Sequence, residues 1–404
     1  MAVGLPAQPA ISPVAGVRLG VAAAGIKKPD HPDLVLMALD PGARVSAVFT
    51  RNRFCAAPVH VARHHLGVAE PRFLVINTGN ANAGTGEPGM AAARATCEAV
   101  ARHMDVADAS VLPFSTGVIG EPLPVDRIID AIPAAATALQ SDGWLPAAAG
   151  ILTTDTVPKG ASRRVVLSGG EITISGMSKG AGMIRPDMAT MLAFIATDAD
   201  LSQAQLDDLL RGAVGNSFNR ITVDGDTSTN DACVLIGTGA SGIAPADGSD
   251  DLARLHQAMV SLCQELAQAI VRDGEGATRF ITIDVGGARD EAEAEAVAFT
   301  IAQSPLVKTA FFAGDPNWGR ILAAIGRAGV DDMDVDRVAI WLDDLCIAAH
   351  GGRAPDYSEA AAAERMAREE ITIHVALGRG DADATVWTCD FSYEYVRINA
   401  EYRT

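Results

Sequence analysis

No apolar run in the chain approaches the ~18–20 residues that a membrane-spanning helix requires. Basic residues are scarce as well: 404 residues hold 32 Lys and Arg against 50 Asp and Glu, a formal net charge of −18. A surface that negative repels phosphate backbones and anionic lipid, so neither nucleic acid nor membrane is an expected partner. The opening stretch MAVGLPAQPAISPVAGVRLGVAAAGIKK lacks a basic leader, is broken by Pro6, Pro9 and Pro13, and does not read as a signal peptide. Closely spaced cysteines are missing too. Cys55, Cys97, Cys233, Cys263, Cys346 and Cys389 are scattered, which leaves no CxxC redox motif and no zinc knuckle. They are expected to be reduced, mostly buried thiols of a cytoplasmic protein. None of the eight histidines forms HExxH, and there is no GxSxG elbow. The expectation is therefore no metal and no histidine-led nucleophile. Attention passes to hydroxyl nucleophiles served by other bases, an N-terminal amine among them.

What is present is globular: 49% apolar and 20% charged residues, within the ordinary range for folded domains. At ~100–200 residues per domain the length suits two or three folding units. Strand-like runs occur at 45–50, 73–77, 163–168, 171–177, 190–198, 232–237, 279–285, 338–342 and 371–377. Helical periodicity occupies 89–104, 201–218 and 250–274, with Ser202 placed as an N-cap. Strands follow one another directly in places, so the fold class is α/β in the broad sense. It reads as α+β with mixed sheets and helices, not as a doubly wound parallel sheet. No composition shift marks a domain boundary.

Two motifs fail on context. GTGASG (237–242) runs into Ile243-Ala244-Pro245, so no helix can open on schedule to hold a pyrophosphate. DGDTSTND (224–231) resembles the start of a calcium loop, but Thr229 stands where glycine is needed and Leu235 where a bidentate glutamate is needed. Its side chains could still line a polar pocket, but a tight turn built on Asx and hydroxyl side chains explains it better.

Three stretches remain. In PFSTGVIG (113–120), a hydroxyl beside a glycine lets a turn aim an O–H and an N–H at one point, as an oxyanion hole requires; a plain loop satisfies the same pattern. In SKGAGMIRPDMATMLAFIATDA (178–199), Lys179 lies against Gly180 and Gly182, and Ala189-Thr190 leads into a strongly apolar strand. A threonine after a small residue at a strand start suits self-cleavage by N→O acyl shift. The α-amine so released, with an ordinary pKa of about 7.7–8.0, can act as base for its own hydroxyl. A lone threonine at a strand start is more often structural. Third, Glu275 sits on a bare Gly-Glu-Gly loop, and Asn399 and Thr404 lie in a C-terminal tail that either docks or frays.

Taken together, KGAGMIRPDMATMLAFIATDA, PFSTGVIGEPLP, ILTTDTVPKG, DGDTSTND, DGEGAT, SPLVKTA, GDPNWGRILAA and YVRINAEYRT resemble the ornithine acetyltransferase family of arginine biosynthesis, in order, over nearly the whole chain. The resemblance implies a self-processing Thr-nucleophile fold of the DmpA and ornithine acetyltransferase type. It implies cleavage between Ala189 and Thr190 into an α chain, 1–189, and a β chain, 190–404, assembling as a heterotetramer of two of each. It implies Thr190 as nucleophile and Thr116 with Gly117 as oxyanion hole. Substrate contacts then fall to Thr153, Lys179, Thr190, Glu275, Asn399 and Thr404. The implied activity is glutamate N-acetyltransferase, moving acetyl from N2-acetylornithine to glutamate through an acetyl-Thr190 ester. No cofactor is implied, with acetyl-CoA as a further donor and co-substrate. Lys179 suits a substrate carboxylate and Glu275 an ammonium. The rival on the same fold is an amidase or aminopeptidase using water as acceptor. The chain departs from the family pattern at Asp187 and at Arg279, where asparagine and lysine are usual; Arg185 falls at a variable position.

Overall fold

The computed structural model describes residues 2–27, 29, 31–185 and 191–401. They form two compact units: Pro6–Asn219 with Asp226–Ile270, and Met1–Leu5 with Arg220–Gly225 and Val271–Thr404.

In chain order the larger unit contains β1 (Val17–Ala22), β2 (Leu34–Leu39), β3 (Arg44–Phe49), α1 (Ala57–Leu66), β4 (Phe73–Asn80), α2 (Gly86–Met104), β5 (Val111–Val118), α3 (Val125–Thr137) and α4 (Trp144–Gly150). There follow β6 (Lys159–Leu167), β7 (Gly170–Lys179), β8 (Leu192–Thr197), α5 (Gln203–Gly215), β9 (Ala232–Gly237) and α6 (Asp250–Arg272). The strands make two sheets, ordered β1-β2-β4-β5 and β3-β9-β8-β7-β6. Both are mixed: β4–β5 and β8–β9 run parallel, the other pairs antiparallel.

One core fills the space between the sheets. Val35, Met37, Leu74, Ile76 and Phe114 of the first meet Val45, Met177, Phe194 and Val234 of the second, with Phe114 edge-on to Phe194 at 5.1 Å. The outer face of the first sheet carries Leu34, Leu36, Phe73 and Val75 against Val61, Val100, Ile128 and Ile132 of α1, α2 and α3. On the second sheet, Gly176 leaves room for Leu262 and Leu266 of α6. The layers are helix, sheet, sheet, helix. Buried on both faces, β2, β8 and β9 read as continuous apolar runs without alternation.

The smaller unit contains β10 (Phe280–Ala288), α7 (Glu291–Ala302), α8 (Pro305–Ala313), α9 (Trp318–Gly326), β11 (Ala339–Leu342), β12 (Leu345–Ala349), β13 (Gly352–Arg353), α10 (Glu359–Met366), β14 (Glu370–Ala376), β15 (Ala382–Cys389) and α11 (Tyr393–Glu401). Its sheet is ordered β13-β12-β11-β14-β10-β15. Ile281, Ile283, Ile373 and Val386 pack there against Val297, Ile301, Phe311 and Ile321.

The α+β reading with mixed sheets holds. The run ACVLIG is β9, and the three periodic segments are α2, α5 and α6. Ser202 closes a capping box on α5: its hydroxyl takes the Gln205 N–H at 3.2 Å while Gln205 returns a bond to the Ser202 N–H at 2.9 Å. The stretch around Pro113 belongs to a strand, β5, that sequence reading left as a loop. Proline is tolerated there because β5 is the edge of its sheet, where a missing donor leaves no gap in a ladder.

Gly20 in β1 lies close against α3, since a Cβ there would lie 2.1 Å from the Ala135 carbonyl oxygen. Gly20→Ala is expected to lower stability by about 1–3 kcal/mol in urea denaturation. Gly326→Ala, with nothing within 4 Å, should change it by no more than about 1 kcal/mol.

Candidate active site

β5 ends in Ser115-Thr116-Gly117-Val118 beside the end of β4, and the ladder shifts register at Gly79 and Asn80. Gly117 has φ +134, and a Cβ on it would sit 2.3 Å from the Gly79 carbonyl carbon and 2.5 Å from the Asn80 nitrogen. Glycine is therefore a steric requirement here, and the irregular pairing turns backbone groups out of the ladder.

A buried polar network pins this backbone. The Asn230 amide donates to the carbonyls of Ala81 at 2.6 Å and Ser115 at 2.9 Å, and accepts from the Thr229 hydroxyl at 2.6 Å. Ser115 Oγ donates to Asn77 Oδ1, whose amide in turn holds the Asn80 carbonyl at 2.9 Å. The DGDTSTND segment is irregular backbone with bends and not the tight turn expected, and its asparagine fixes the residue before Thr116.

Lys179 closes the site from the second sheet. It ends β7 and donates from Nζ to Thr116 Oγ1 at 3.3 Å. Behind it lies Asp155, whose side chain is fully buried although its backbone is partly exposed. Asp155 Oδ1 accepts from Lys159 Nζ at 2.6 Å and from the Gly180 N–H at 2.7 Å; Oδ2 accepts from the Thr153 N–H at 3.2 Å and lies 3.9 Å from Lys179 Nζ. Burial alone would raise this carboxyl, but the Lys159 and Lys179 charges and the bonds from Lys159 and Gly180 hold it well below the usual carboxylate range. Asp231 goes the other way. Burial pushes it well above the ordinary value despite bonds from Ser228 and the Lys179 charge, and its Oδ2 has no hydrogen-bond partner among the described residues. That environment favours the protonated acid.

In the smaller unit Asn399 of α11 donates to Glu275 Oε2 at 2.7 Å. The tail docks through residue 401: Ser392 Oγ donates to the Gly276 carbonyl at 2.6 Å, and Asp390 accepts from the N–H groups of Thr278 and Arg279 at 2.8 and 2.9 Å. A Cβ on Gly276 would meet the Tyr395 nitrogen at 2.5 Å. Arg279 holds the carbonyls of Phe312 at 2.9 Å and Met366 at 3.0 Å, at the ends of α8 and α10. That departure from the family pattern is a structural helix-end contact.

The sequence model of the ArgJ family matches residues 18–404. The chain belongs to the ArgJ family. It is 55% identical over 406 residues to the arginine biosynthesis bifunctional protein ArgJ of Pseudomonas syringae pv. tomato, with 100% of each chain covered. Among solved structures it is similar to the Bacillus halodurans arginine biosynthesis bifunctional protein argJ, at 38% identity and TM-score 0.48, over 50% of this chain and 95% of that one. It is also similar to the Mycobacterium tuberculosis ornithine acetyltransferase complexed with ornithine, at 36% identity and TM-score 0.42, over 46% and 98%.

Of the residues singled out in sequence, this ArgJ-family chain brings Thr116, Gly117, Thr153 and Lys179 together in the larger unit, and Glu275 with Asn399 in the smaller. Asp187, Ala189, Thr190 and Thr404 lie outside the described residues. Asp155, Asn230 and Asp231 were missed as site residues. An Asp and a Lys four apart in TTDTVPK, and a hydroxyl-rich segment ending in Asn-Asp, were the only signals.

Asn230→Ala leaves two buried carbonyls unpaired, at about 1–3 kcal/mol each, and is expected to cost about 2–4 kcal/mol in urea denaturation. Asp155 sits below its unfolded value in the native state, so unfolding in acid takes up a proton. Its contribution is complete above the unfolded value of about 3.9 and is lost as pH falls below it. Melting temperature should therefore fall on acidification below about pH 4, and less steeply in Asp155→Asn.

Proposed function

We propose that this chain is an acetyltransferase of arginine biosynthesis that transfers acetyl from N2-acetylornithine to glutamate, with acetyl-CoA as a second donor. The observation that carries the proposal is identity of 55% over the full length of a bifunctional arginine-biosynthesis protein. That match favours an amino acid over water as acceptor. In this reading the precursor cuts itself between Ala189 and Thr190. The two flanking strands, β7 and β8, pair antiparallel from Ile174 opposite Thr197 to Lys179 opposite Leu192. Both halves would thus stay in one sheet after the cut, which supports lasting association of α and β chains and their assembly two by two.

Thr190 Oγ then attacks the acetyl carbonyl, its proton passing to the Thr190 α-amine. Gly117 N–H and the Thr116 hydroxyl stabilise the oxyanion, and ornithine leaves with the proton. The acetyl-Thr190 ester is attacked by the glutamate α-amine, and N-acetylglutamate departs as the hydroxyl is restored. We assign Thr153, Lys179, Glu275, Asn399 and Thr404 to substrate contacts; Glu275 suits an ammonium. The six cysteines are free among the described residues, and burial pushes Cys263 up to about 12 and Cys97 higher. Unpaired, unreactive thiols fit a reducing cytoplasm.

Denaturing intact-mass measurement is expected to find two fragments, residues 1–189 and 190–404. N2-acetylornithine should add one acetyl group to the second, and glutamate should remove it. A single uncut chain, or acetyl loss to water at the same rate without glutamate, overturns the reading.

A further inference from the structure

The Lys179–Thr116 contact says more than that both residues line the site. An ammonium has three donors and no acceptor. In the 3.3 Å bond between them Thr116 Oγ1 must therefore be the acceptor. Its own hydrogen is turned away from Lys179 and is left to be donated elsewhere. A threonine hydroxyl without such a neighbour rotates among donating and accepting poses.

Asp155 holds the lysine in two ways. Its Oδ1 bonds the Gly180 N–H at 2.7 Å, fixing the backbone next to Lys179, and its Oδ2 faces Nζ at 3.9 Å. Lys159 holds the tighter position on the same carboxylate, at 2.6 Å. One carboxylate thus faces two ammonium groups, one of which also meets Thr116. Both lysines and the Asp155 side chain are at most 10% exposed, so their charges are weakly screened. Side chains locked by a supporting shell hold a catalytic donor in place better than mobile ones.

We propose that Asp155 and Lys179 are positioning residues for the oxyanion hole: Asp155 fixes the Lys179 ammonium, which commits the Thr116 hydroxyl to donating toward the acetyl oxyanion. The inference rests on the acetyl-transfer reading and gives Lys179 a task besides substrate contact.

The test is a double-mutant cycle on matured protein, with the cleaved fraction measured by intact mass. Thr116→Val is expected to lower kcat about 100-fold, as for loss of one oxyanion donor, and Lys179→Met to lower kcat comparably, with any rise in KM for N2-acetylornithine reporting its separate substrate contact. The double variant should be no slower than Thr116→Val alone. Multiplied losses in kcat, or a raised KM with kcat kept, would mean that Lys179 acts on substrate alone and would overturn the proposal. Asp155→Asn should lower kcat in the Thr116 background and leave it unchanged in Thr116→Val. A second readout needs no turnover. The 15N ammonium resonance of Lys179, assigned by its absence in Lys179→Met, should shift in Thr116→Val and exchange away in Asp155→Asn. A resonance that moves in neither overturns the relay. Failure of the wild-type protein to transfer acetyl overturns the functional reading instead, and the resonance then judges the relay by itself.

Discussion

A single buried carboxylate, Asp155, organises the charged part of the larger unit. It takes bonds from Lys159 at 2.6 Å and from the Gly180 N–H at 2.7 Å, and lies 3.9 Å from Lys179. Two lysines could not stay buried in the interior without an anion, since desolvation disfavours each ammonium. The carboxylate in turn would be protonated by burial were the lysines absent. The two lysines keep Asp155 ionised, and the anchored carboxylate places the Lys179 ammonium beside Thr116.

The second constraint is steric. Gly117 approaches the backbone at Gly79 and Asn80 so closely that a Cβ would overlap it. The price of such an approach is local irregularity, and the structure offsets it with buried amide side chains. Asn77 and Asn230 satisfy the carbonyls of Asn80, Ala81 and Ser115. Buried networks of this kind hold one geometry when complete and are costly when any partner is lost. The apolar core between the sheets supplies bulk stability, while these few polar groups set where Thr116 points. In the smaller unit, the same division appears on a lesser scale: Asp390 and Ser392 anchor the Gly276 loop, and Asn399 meets Glu275.

Periodicity located α2, α5 and α6, and apolar runs located strands such as β9, because amphipathic helices and buried strands carry their burial pattern in local sequence. β1, β2 and β15 passed unnoticed: a run of six to eight residues, continuously apolar in β2 and mixed in β1 and β15, does not by itself separate strand from helix or loop. β5 was hidden by Pro113 and by a Ser-Thr-Gly end that looks like a turn. Two units agree with the length, but their bounds were illegible. The segment 220–225 and the first five residues join a unit otherwise built from residue 271 onward, and no linker composition announces such a crossing.

Sequence by itself determined the family and the mixed α/β class, since these depend on residue identity and local order. Tertiary structure alone decided that Thr116 and Lys179, 63 positions apart, share a hydrogen bond. It alone decided that Asp155 pairs with both lysines and that Asn230 supports β5 across 115 positions. Those contacts arise where strands from two sheets and the turns between them converge. Long-range pairing of that kind leaves no periodic trace in the chain, because a side chain's partner there is set by how sheets stack and not by its neighbours in sequence.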